Sequence, residues 1–409
     1  MKNFEQTVEK YAELIVKVGV NIQKGQTLVI NAPIEAQSFV HKTALKAYEA
    51  GAKHVQVEWK DEELSLIKYN NAPDEAFHEF PNWIAKGYEE MAEEGAAFIS
   101  IYAENPDLLK DVDPERIAAS NKAAGKALQT YRQYIQSDKV SWAVVSVPTV
   151  AWAQKVFPEL SSEQSVEKLW EAIFNATRLY EEEPIEAWKK HNQTLQDKVD
   201  FLNEKKYKKL HYRGHGTELT IELPKKHLWE GGGSFNKDNV EFVANMPTEE
   251  VFTTPLKTGV NGIVTSTKPL HYGGNVIENF TLTFEEGRIV NYTAEKGLNT
   301  LKRLIEIDEG SHYLGEVALV PHDSPISNSN IVFFNTLYDE NASCHLAIGS
   351  AYTSCLEGGK EMSEEELAEN GSNSSITHVD FMMGSAELDI DAETHDGSIE
   401  PLFRNGNWA

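Results

Sequence analysis

Two residues in the stretch SITHVDFMMG (375–384) have the types and spacing that could do metal chemistry. His378 and Asp380 are two positions apart within an otherwise apolar run. Successive side chains on a β-strand point to opposite faces, so residues at i and i+2 share one face. The pattern therefore predicts an imidazole and a carboxylate side by side on a mostly buried strand, and divalent cations accept both as ligands.

Three other segments of the second half place carboxylates or imidazoles among apolar or small residues. They are MPTEEVFTTP (246–255), HYLGEVALVPHDSPIS (312–327) and LYDENASCHLAIGSAYTSC (337–355). A buried unpaired carboxylate is costly, and a bound cation is one of the few partners that offset the cost. The four segments together favour a hydrolytic metal site, with a bridging carboxylate if two ions lie about 3.5–4 Å apart.

Taken singly, these residues also have ordinary structural interpretations. A lone histidine such as His345 is more often a hydrogen-bonded core residue than a metal ligand. Glu316 could pair with a lysine, and Asp380 could cap a helix that begins near FMMG. Strand alternation points one of Glu249 and Glu250 toward solvent without saying which. The metal interpretation therefore depends on the combination of segments.

The charge balance excludes some classes of partner. Lys and Arg number 38 against 64 Asp and Glu, for a net charge of −26, which repels phosphate backbones and anionic lipid. We therefore predict no nucleic-acid partner and no membrane association. The 11-position spacing of Cys344 and Cys355 fits neither a zinc ribbon nor a disulfide framework, which predicts buried, reduced thiols in a cytoplasmic protein. The N-terminal 20 residues indicate an amphipathic helix and no signal peptide.

The length of 409 residues predicts two domains, because it exceeds what one core usually spans. We place them at 1–205 and 206–409. Apolar strand patterns and helical patterns alternate in the first part, which predicts an α/β domain with a mostly parallel sheet. The predicted strands lie at 27–32, 53–59, 96–103 and 140–148.

Residues 165–210 have a helical, Lys- and Glu-rich pattern typical of a connecting segment that ends the first domain. The pattern then changes to period two, which predicts a β-rich α+β domain carrying the metal site. FEEGR indicates a hairpin, and SNIVFFNTLY (329–338) is predicted to be one of the strands.

A nucleotide-binding interpretation of the first sheet is testable at its first strand-to-helix turn. A dinucleotide site needs glycines there, so that backbone N–H groups can approach the pyrophosphate. The turn reads NAPIEAQ, which makes such a site improbable. The alternative to an enzyme is a nonhydrolytic ligand-binding protein with a structural metal site.

The chain resembles the aminopeptidase T family of metallo-aminopeptidases, whose relatives include the bacterial aminopeptidases S and II. The similarity covers essentially the whole length, from EKYAELIVKVGVNIQKGQTLVI to the closing PLFRNGNWA. Between these ends it includes MPTEEVFTTP, GEVALVP, NASCHLAIGSAY and THVDFMMG. The resemblance implies an α/β N-terminal domain, a β-rich C-terminal domain, a homodimer, and short peptides with a free N-terminus as substrates.

The resemblance also implies two divalent metal ions per chain, with Zn, Co, Mn or Mg as the candidates. The implied metal ligands are Glu250, Glu316, His345, Tyr352, His378 and Asp380. It thereby selects Glu250 over Glu249. Glu340, which by pattern alone resembles a turn residue, matches an acidic position near the metals and is either a ligand or the general base.

The implied reaction is hydrolysis of the first peptide bond of a short peptide. The metal pair would supply hydroxide at neutral pH for attack on the scissile carbonyl. Glu316 or Glu340 would relay a proton to the leaving amine. Tyr352 would act as a metal ligand or as a hydrogen-bond donor to the tetrahedral intermediate.

Overall fold

The structure is a computed structural model that describes residues 3–273 and 275–409. The chain forms two compact units. One consists of Met1–Lys190 and Gly233–Pro247, and the other of His191–Gly232 and Thr248–Ala409. The domain boundary at 205/206 stays a prediction about independently folding parts.

The first unit contains a parallel sheet of four strands in the order β2-β1-β3-β4. The strands are β1 (Thr27–Pro33), β2 (His54–Lys60), β3 (Ala97–Ile101) and β4 (Trp142–Val145). The sequence pattern is continuous and apolar in β1 and β3, where nearly every residue is buried, as expected for parallel strands covered on both faces. The predicted parallel sheet is confirmed.

Helices precede, connect and follow these strands. They are α1 (Phe4–Leu14), α2 (Gln37–Glu49), α3 (Glu62–Asn71), α4 (Asn82–Glu93), α5 (Pro114–Ala127), α6 (Gln129–Gln136), α7 (Val150–Val156), α8 (Ser162–Ala176) and α9 (Pro184–Lys205). Pro81 stands at the N-cap of α4, because proline cannot continue a preceding helix. No helix among the described residues has the length and apolarity needed to cross a bilayer.

The second unit is built mainly from antiparallel strands. Its larger sheet has nine strands, in the order β12-β13-β11-β6-β5-β18-β19-β20 with β14 paired to β13. A second sheet of five strands has the order β17-β16-β15-β10-β7. The predicted β-rich second half is confirmed, and the hairpin at FEEGR joins β13 to β14.

The remaining strands and helices follow one another in chain order. The remaining strands are β5 (Lys209–Gly214), β6 (Thr217–Glu222), β7 (Glu230–Gly231), β8 (Ser234–Phe235), β9 (Glu241–Phe242), β10 (Val251–Thr253), β11 (Val260–Thr265), β12 (Leu270–Tyr272), β13 (Asn275–Glu285), β14 (Arg288–Lys296), β15 (Leu314–Leu319), β16 (His345–Gly349), β17 (His378–Met382), β18 (Asp389–Glu393), β19 (Ile399–Arg404) and β20 (Asn407–Trp408). The short hairpin of β8 and β9 belongs to the first unit. The remaining helices are α10 (Leu298–Ile305), α11 (Pro325–Asn328), α12 (Thr336–Asp339) and α13 (Glu364–Glu369).

The strand predicted at 329–338 is wrong. Residues 329–335 are irregular between α11 and α12, with Asn330 and Phe334 both at a φ of 54°, and residues 336–338 belong to α12. The Asp339 carboxylate accepts hydrogen bonds from the backbone N–H groups of Phe333 and Asn335. Such local side-chain bonds compete with a strand ladder for the backbone, and here they override the apolar pattern.

The predicted state of the cysteines is confirmed. Cys344 and Cys355 are both free and buried. Burial raises the pKa of the Cys344 thiol to about 11, so it stays protonated at neutral pH and is a poor nucleophile.

A buried aspartate of the nine-stranded sheet, which contacts two partly exposed arginines, gives a pH-dependent stability. Asp391 on β18 accepts hydrogen bonds from Arg213 on β5 and Arg404 on β19, and its side chain is 10% exposed. Burial alone would raise the pKa of Asp391, but the two guanidinium groups outweigh it and lower this pKa. Because the pKa of Asp391 is depressed in the folded state, its interactions with the two arginines stabilise the fold above the unfolded pKa of about 3.9 and lose this effect as the pH falls below it.

We expect Asp391→Asn to lower the free energy of unfolding at pH 7 by about 1–2 kcal/mol, since hydrogen bonds to charged groups are lost and both arginines stay partly solvated. Urea unfolding at several pH values checks this, and the difference from wild type should shrink below about pH 4. Glu309→Gln is the control, because its partner Arg288 and its own carboxylate are exposed. A difference independent of pH would contradict the ionic origin.

Candidate metal centre

The five-stranded sheet brings five of the predicted site residues together. Glu250 directly precedes β10, and Glu316 lies on β15. His345 begins β16, while His378 and Asp380 both lie on β17. Neighbouring strands of this sheet are hydrogen-bonded to one another, so segments that are distant along the chain carry their side chains to one place.

The register of the three central strands aligns the acidic residues in a row. Glu316 on β15 pairs with Ala347 on β16, which in turn pairs with Asp380 on β17. Directly opposed residues in an antiparallel sheet point to the same face. The methyl group of Ala347 therefore lies on the same face as the two carboxylates and between them.

A β-bulge sets the direction of Glu316. The register of β15 against β16 shifts between Leu314 and Glu316. A Cβ atom on Gly315 would lie only 2.2 Å from the carbonyl oxygen of Ser350, so the strands can approach this closely only with glycine there. Bulges next to active sites commonly redirect a side chain, and this bulge turns the carboxylate of Glu316 toward the two histidines.

The ligand atoms form two groups that share one carboxylate. Glu316 Oε1 lies 3.5 Å from His345 Nε2, and Glu316 Oε2 lies 3.2 Å from His378 Nε2. His345 Nε2 is 3.1 Å from Glu250 Oε2, and His378 Nε2 is 3.4 Å from Asp380 Oδ1. Within each group, Glu250–Glu316–His345 and Glu316–His378–Asp380, one ligand atom per residue lies within 4.8 Å of the others.

Backbone carbonyls orient both imidazoles toward this cluster. His345 Nδ1 donates to the carbonyl of Ser343 at 3.2 Å, and His378 Nδ1 donates to the carbonyl of Ser350 at 2.7 Å. A carbonyl only accepts, so Nδ1 carries the proton in each ring. This leaves both Nε2 atoms facing the carboxylates, which is the arrangement that ligating histidines usually have.

Burial and the attraction between the carboxylates and the two imidazoles shift the pKa values of the cluster. Burial raises the pKa of Glu250, whereas the two imidazoles outweigh burial at Glu316 and lower its pKa to about 2. Burial disfavours protonation of His345, but Glu250 and Glu316 outweigh it and raise the pKa of His345. Asp380 and Glu316 raise the pKa of His378 in the same way. The cluster therefore stabilises positive charge.

The donor set fits divalent metal ions. Glu250 Oε2 and Asp380 Oδ1 are fully buried, and neither accepts a hydrogen bond from the residues that the structure describes. Both atoms nevertheless lie within 3.4 Å of an imidazole Nε2, as ligand atoms do when they face a common cation. Carboxylate and imidazole together suit borderline or hard ions such as Zn²⁺, Co²⁺ and Mn²⁺.

Tyr352 and Glu340 lie beside the cluster. The Tyr352 ring is 4.9 Å from the ring of His378 and 5.8 Å from that of Phe252. Tyr352 is 40% exposed, but desolvation and the nearby carboxylates of Glu316 and Asp380 raise its pKa, so its hydroxyl is protonated at neutral pH. Burial and the negative charge of Glu250 raise the pKa of Glu340. Among the described residues, Glu340 belongs to neither group of potential ligands.

The structure shows which of the two adjacent glutamates joins the cluster, a choice that strand alternation could not make. Glu250 contacts His345, whereas Glu249 Oε2 lies 3.6 Å from His191 Nε2. Both side chains are buried, so the expectation that one of them faces solvent is wrong. Two further contributors, Ala347 and Asn341, were missed because neither residue type carries a metal or catalytic signal in a single sequence.

Known proteins match this chain over essentially its full length. The Peptidase M29 family, described as thermophilic metalloprotease (M29), matches residues 4–408. Aminopeptidase AmpS of Bacillus subtilis is 62% identical over 409 residues and is covered to 100%, as is this chain. Aminopeptidase 2 of Geobacillus stearothermophilus is 57% identical over 409 residues, which are 100% of this chain and 99% of that protein.

A solved structure has the same fold. Wild-type AmpT from Thermus thermophilus superposes with a TM-score of 0.94 at 42% sequence identity. The match covers 99% of this chain and 100% of that chain.

Proposed function

Because the chain belongs to the Peptidase M29 family of metalloproteases, we propose that it removes the N-terminal residue from short peptides with a cocatalytic pair of divalent metal ions. The predicted enzyme class, a metallo-aminopeptidase, is confirmed by this membership and by relatives that carry aminopeptidase names. The observation that supports a pair of ions is the single carboxylate of Glu316, which belongs to both groups of potential ligands.

The proposed ligands divide between two ions. Glu250 and His345 would hold one, His378 and Asp380 the other, and Glu316 would bridge them, with Tyr352 available as a sixth ligand. Zn, Co, Mn and Mg are the candidate metals, because carboxylate and imidazole accept several. When bound, such ions act as Lewis acids that polarise a carbonyl and make water a nucleophile at neutral pH.

Two side chains would handle protons and the oxyanion. Glu340, whose pKa is raised by burial and by Glu250, would take a proton from the attacking water and give it to the leaving amine. Glu316 is the alternative proton carrier, but its pKa of about 2 makes it a weaker base. As the alternative to metal binding, the protonated hydroxyl of Tyr352 would donate a hydrogen bond to the developing oxyanion.

The substrate must present a free α-amino group. At neutral pH this group is a cation, and the net charge of −26 favours its approach while it disfavours acidic peptides. We further propose that the protein works in the cytoplasm as a homodimer.

A chelation experiment tests the proposed function. An aminoacyl-p-nitroanilide should be hydrolysed by the purified protein, lose this activity with a chelator, and regain it with Co²⁺, Zn²⁺ or Mn²⁺, because the ions supply the Lewis acid. The matched control is the same substrate with an acetylated amino group, which should not react. The proposal fails if metal-loaded protein releases no N-terminal residue from a peptide panel.

A further inference from the structure

Asn341 is a fully buried amide that lies at the edge of the cluster of potential metal ligands. It belongs to the short 3-10 turn Glu340–Ala342, which follows α12 and leads toward His345. Each of its polar side-chain atoms has a hydrogen-bond partner within the same unit. Burying an amide costs free energy unless it is hydrogen-bonded, so these partners define its orientation.

The oxygen of this amide holds the segment that carries Glu250. The backbone N–H of Glu249 donates to Asn341 Oδ1 at 2.7 Å. The pairing of β10 with β15 begins only at Val251, which faces Leu319. Glu250 therefore stands between a strand ladder on its C-terminal side and the bond to Asn341 on its N-terminal side.

The nitrogen of the same amide reaches Glu340. Asn341 Nδ2 donates to the carbonyl of Leu337 at 3.0 Å and to Glu340 Oε1 at 3.4 Å. The bond to Leu337 fixes the amide plane, which in turn fixes where the donor to Glu340 points. One neutral side chain thus connects the backbone beside a proposed ligand with the proposed proton carrier.

We propose that Asn341 is a positioning residue that sets the Glu250 segment and the Glu340 carboxylate relative to each other. The expected effect of Asn341 on catalysis rests on the proposed function, whereas its expected effect on metal affinity does not require that activity. Replacing a residue that orients a metal ligand without contacting the metal commonly weakens metal affinity by about 10–100-fold. Asn341 should therefore affect both the retention of metal and the rate of proton transfer.

The test compares Asn341→Ala with a matched buried amide of the first unit, Asn236→Ala. Asn236 Oδ1 accepts from the backbone N–H groups of Asp238 and Val240, and its Nδ2 donates to Ser141 Oγ. Metal affinity is measured without substrate, by competition with a fluorescent chelator for Co²⁺. We expect Asn341→Ala to weaken the Kd about 10–100-fold and to lower kcat more than it changes KM. Asn236→Ala should change the melting temperature but neither Kd nor kcat.

A second variant, Asn341→Asp, tests the proposal if Asn341→Ala does not fold. Asn341→Asp keeps the shape and the oxygen that accepts from Glu249, but replaces the nitrogen that donates to Leu337 and Glu340 with a second oxygen. It should bind Co²⁺ more tightly than Asn341→Ala and still have a reduced kcat. A wild-type Kd and kcat in either variant, or equal losses in Asn236→Ala, would overturn the assignment. Wild-type protein that binds Co²⁺ without cleaving peptides would instead end the proposed function, while the Kd comparison would still decide the role of Asn341.

Discussion

Replacing Glu316 by glutamine is expected to lower kcat/KM by about a thousandfold or more, which corresponds to about 4 kcal/mol of transition-state stabilisation. The reason is geometric, because this carboxylate contacts both imidazoles, through Oε1 at 3.5 Å and Oε2 at 3.2 Å. A glutamine offers one oxygen without negative charge, so it cannot serve two cations. The purified variant should also retain fewer than two divalent ions per chain by elemental analysis.

Glu393→Gln is the matched control for this prediction. Glu393 is also a strand glutamate of the second unit that contacts a histidine, with Oε2 at 3.1 Å from His211 Nε2. It lies in the nine-stranded sheet, away from the proposed ligands. We expect wild-type metal content and kcat/KM from it. Glu316→Gln protein with two ions and normal turnover would remove Glu316 from the proposed bridging position.

Replacing Glu340 by glutamine is expected to lower kcat about 10²–10⁴-fold, the usual contribution of a positioned general acid or base. The protein should keep its metal content, because Glu340 belongs to neither group of potential ligands among the described residues. The amide has nearly the same shape as the carboxyl group, yet it cannot accept the proton. Steady-state kinetics and elemental analysis on the same preparation separate the two roles.

Two outcomes would contradict the role of Glu340 as a proton carrier. Loss of one ion per chain together with activity would make it a ligand, and normal turnover would exclude both roles. Glu249→Gln is the control, since Glu249 is also a buried glutamate near the cluster but contacts His191. It should keep both its metal content and its kcat, whereas Glu340→Gln should lose kcat alone.

Much of the first unit could be predicted from the sequence because local and tertiary preferences agree there. The strand at 27–32 is a mostly apolar run between helical patterns, and the structure has β1 at Thr27–Pro33. The His378 and Asp380 pair was equally accessible, because a period of two follows directly from strand geometry. These predictions needed no knowledge of distant contacts.

The parts that sequence could not supply depend on long-range register or on local polar bonds. The choice of Glu250 over Glu249 came only from the resemblance to a known family, since alternation is symmetric between neighbours and both side chains are buried. The strand wrongly predicted at 329–338 contains an apolar run, but Asp339 and two residues at positive φ turn the backbone away from a ladder. Asn341 acts through a contact with Glu249, 92 positions away.

Ala347 shows how a residue without reactive atoms can limit the substitutions that a site tolerates. It occupies the middle of the row that runs from Glu316 to Asp380, and it contributes only a methyl group. A side chain with a γ-carbon there would extend into the space that the proposed metal ions need. In a mutational library, we expect larger side chains at this position to lower activity, although alanine itself supplies no ligand, charge or polar group.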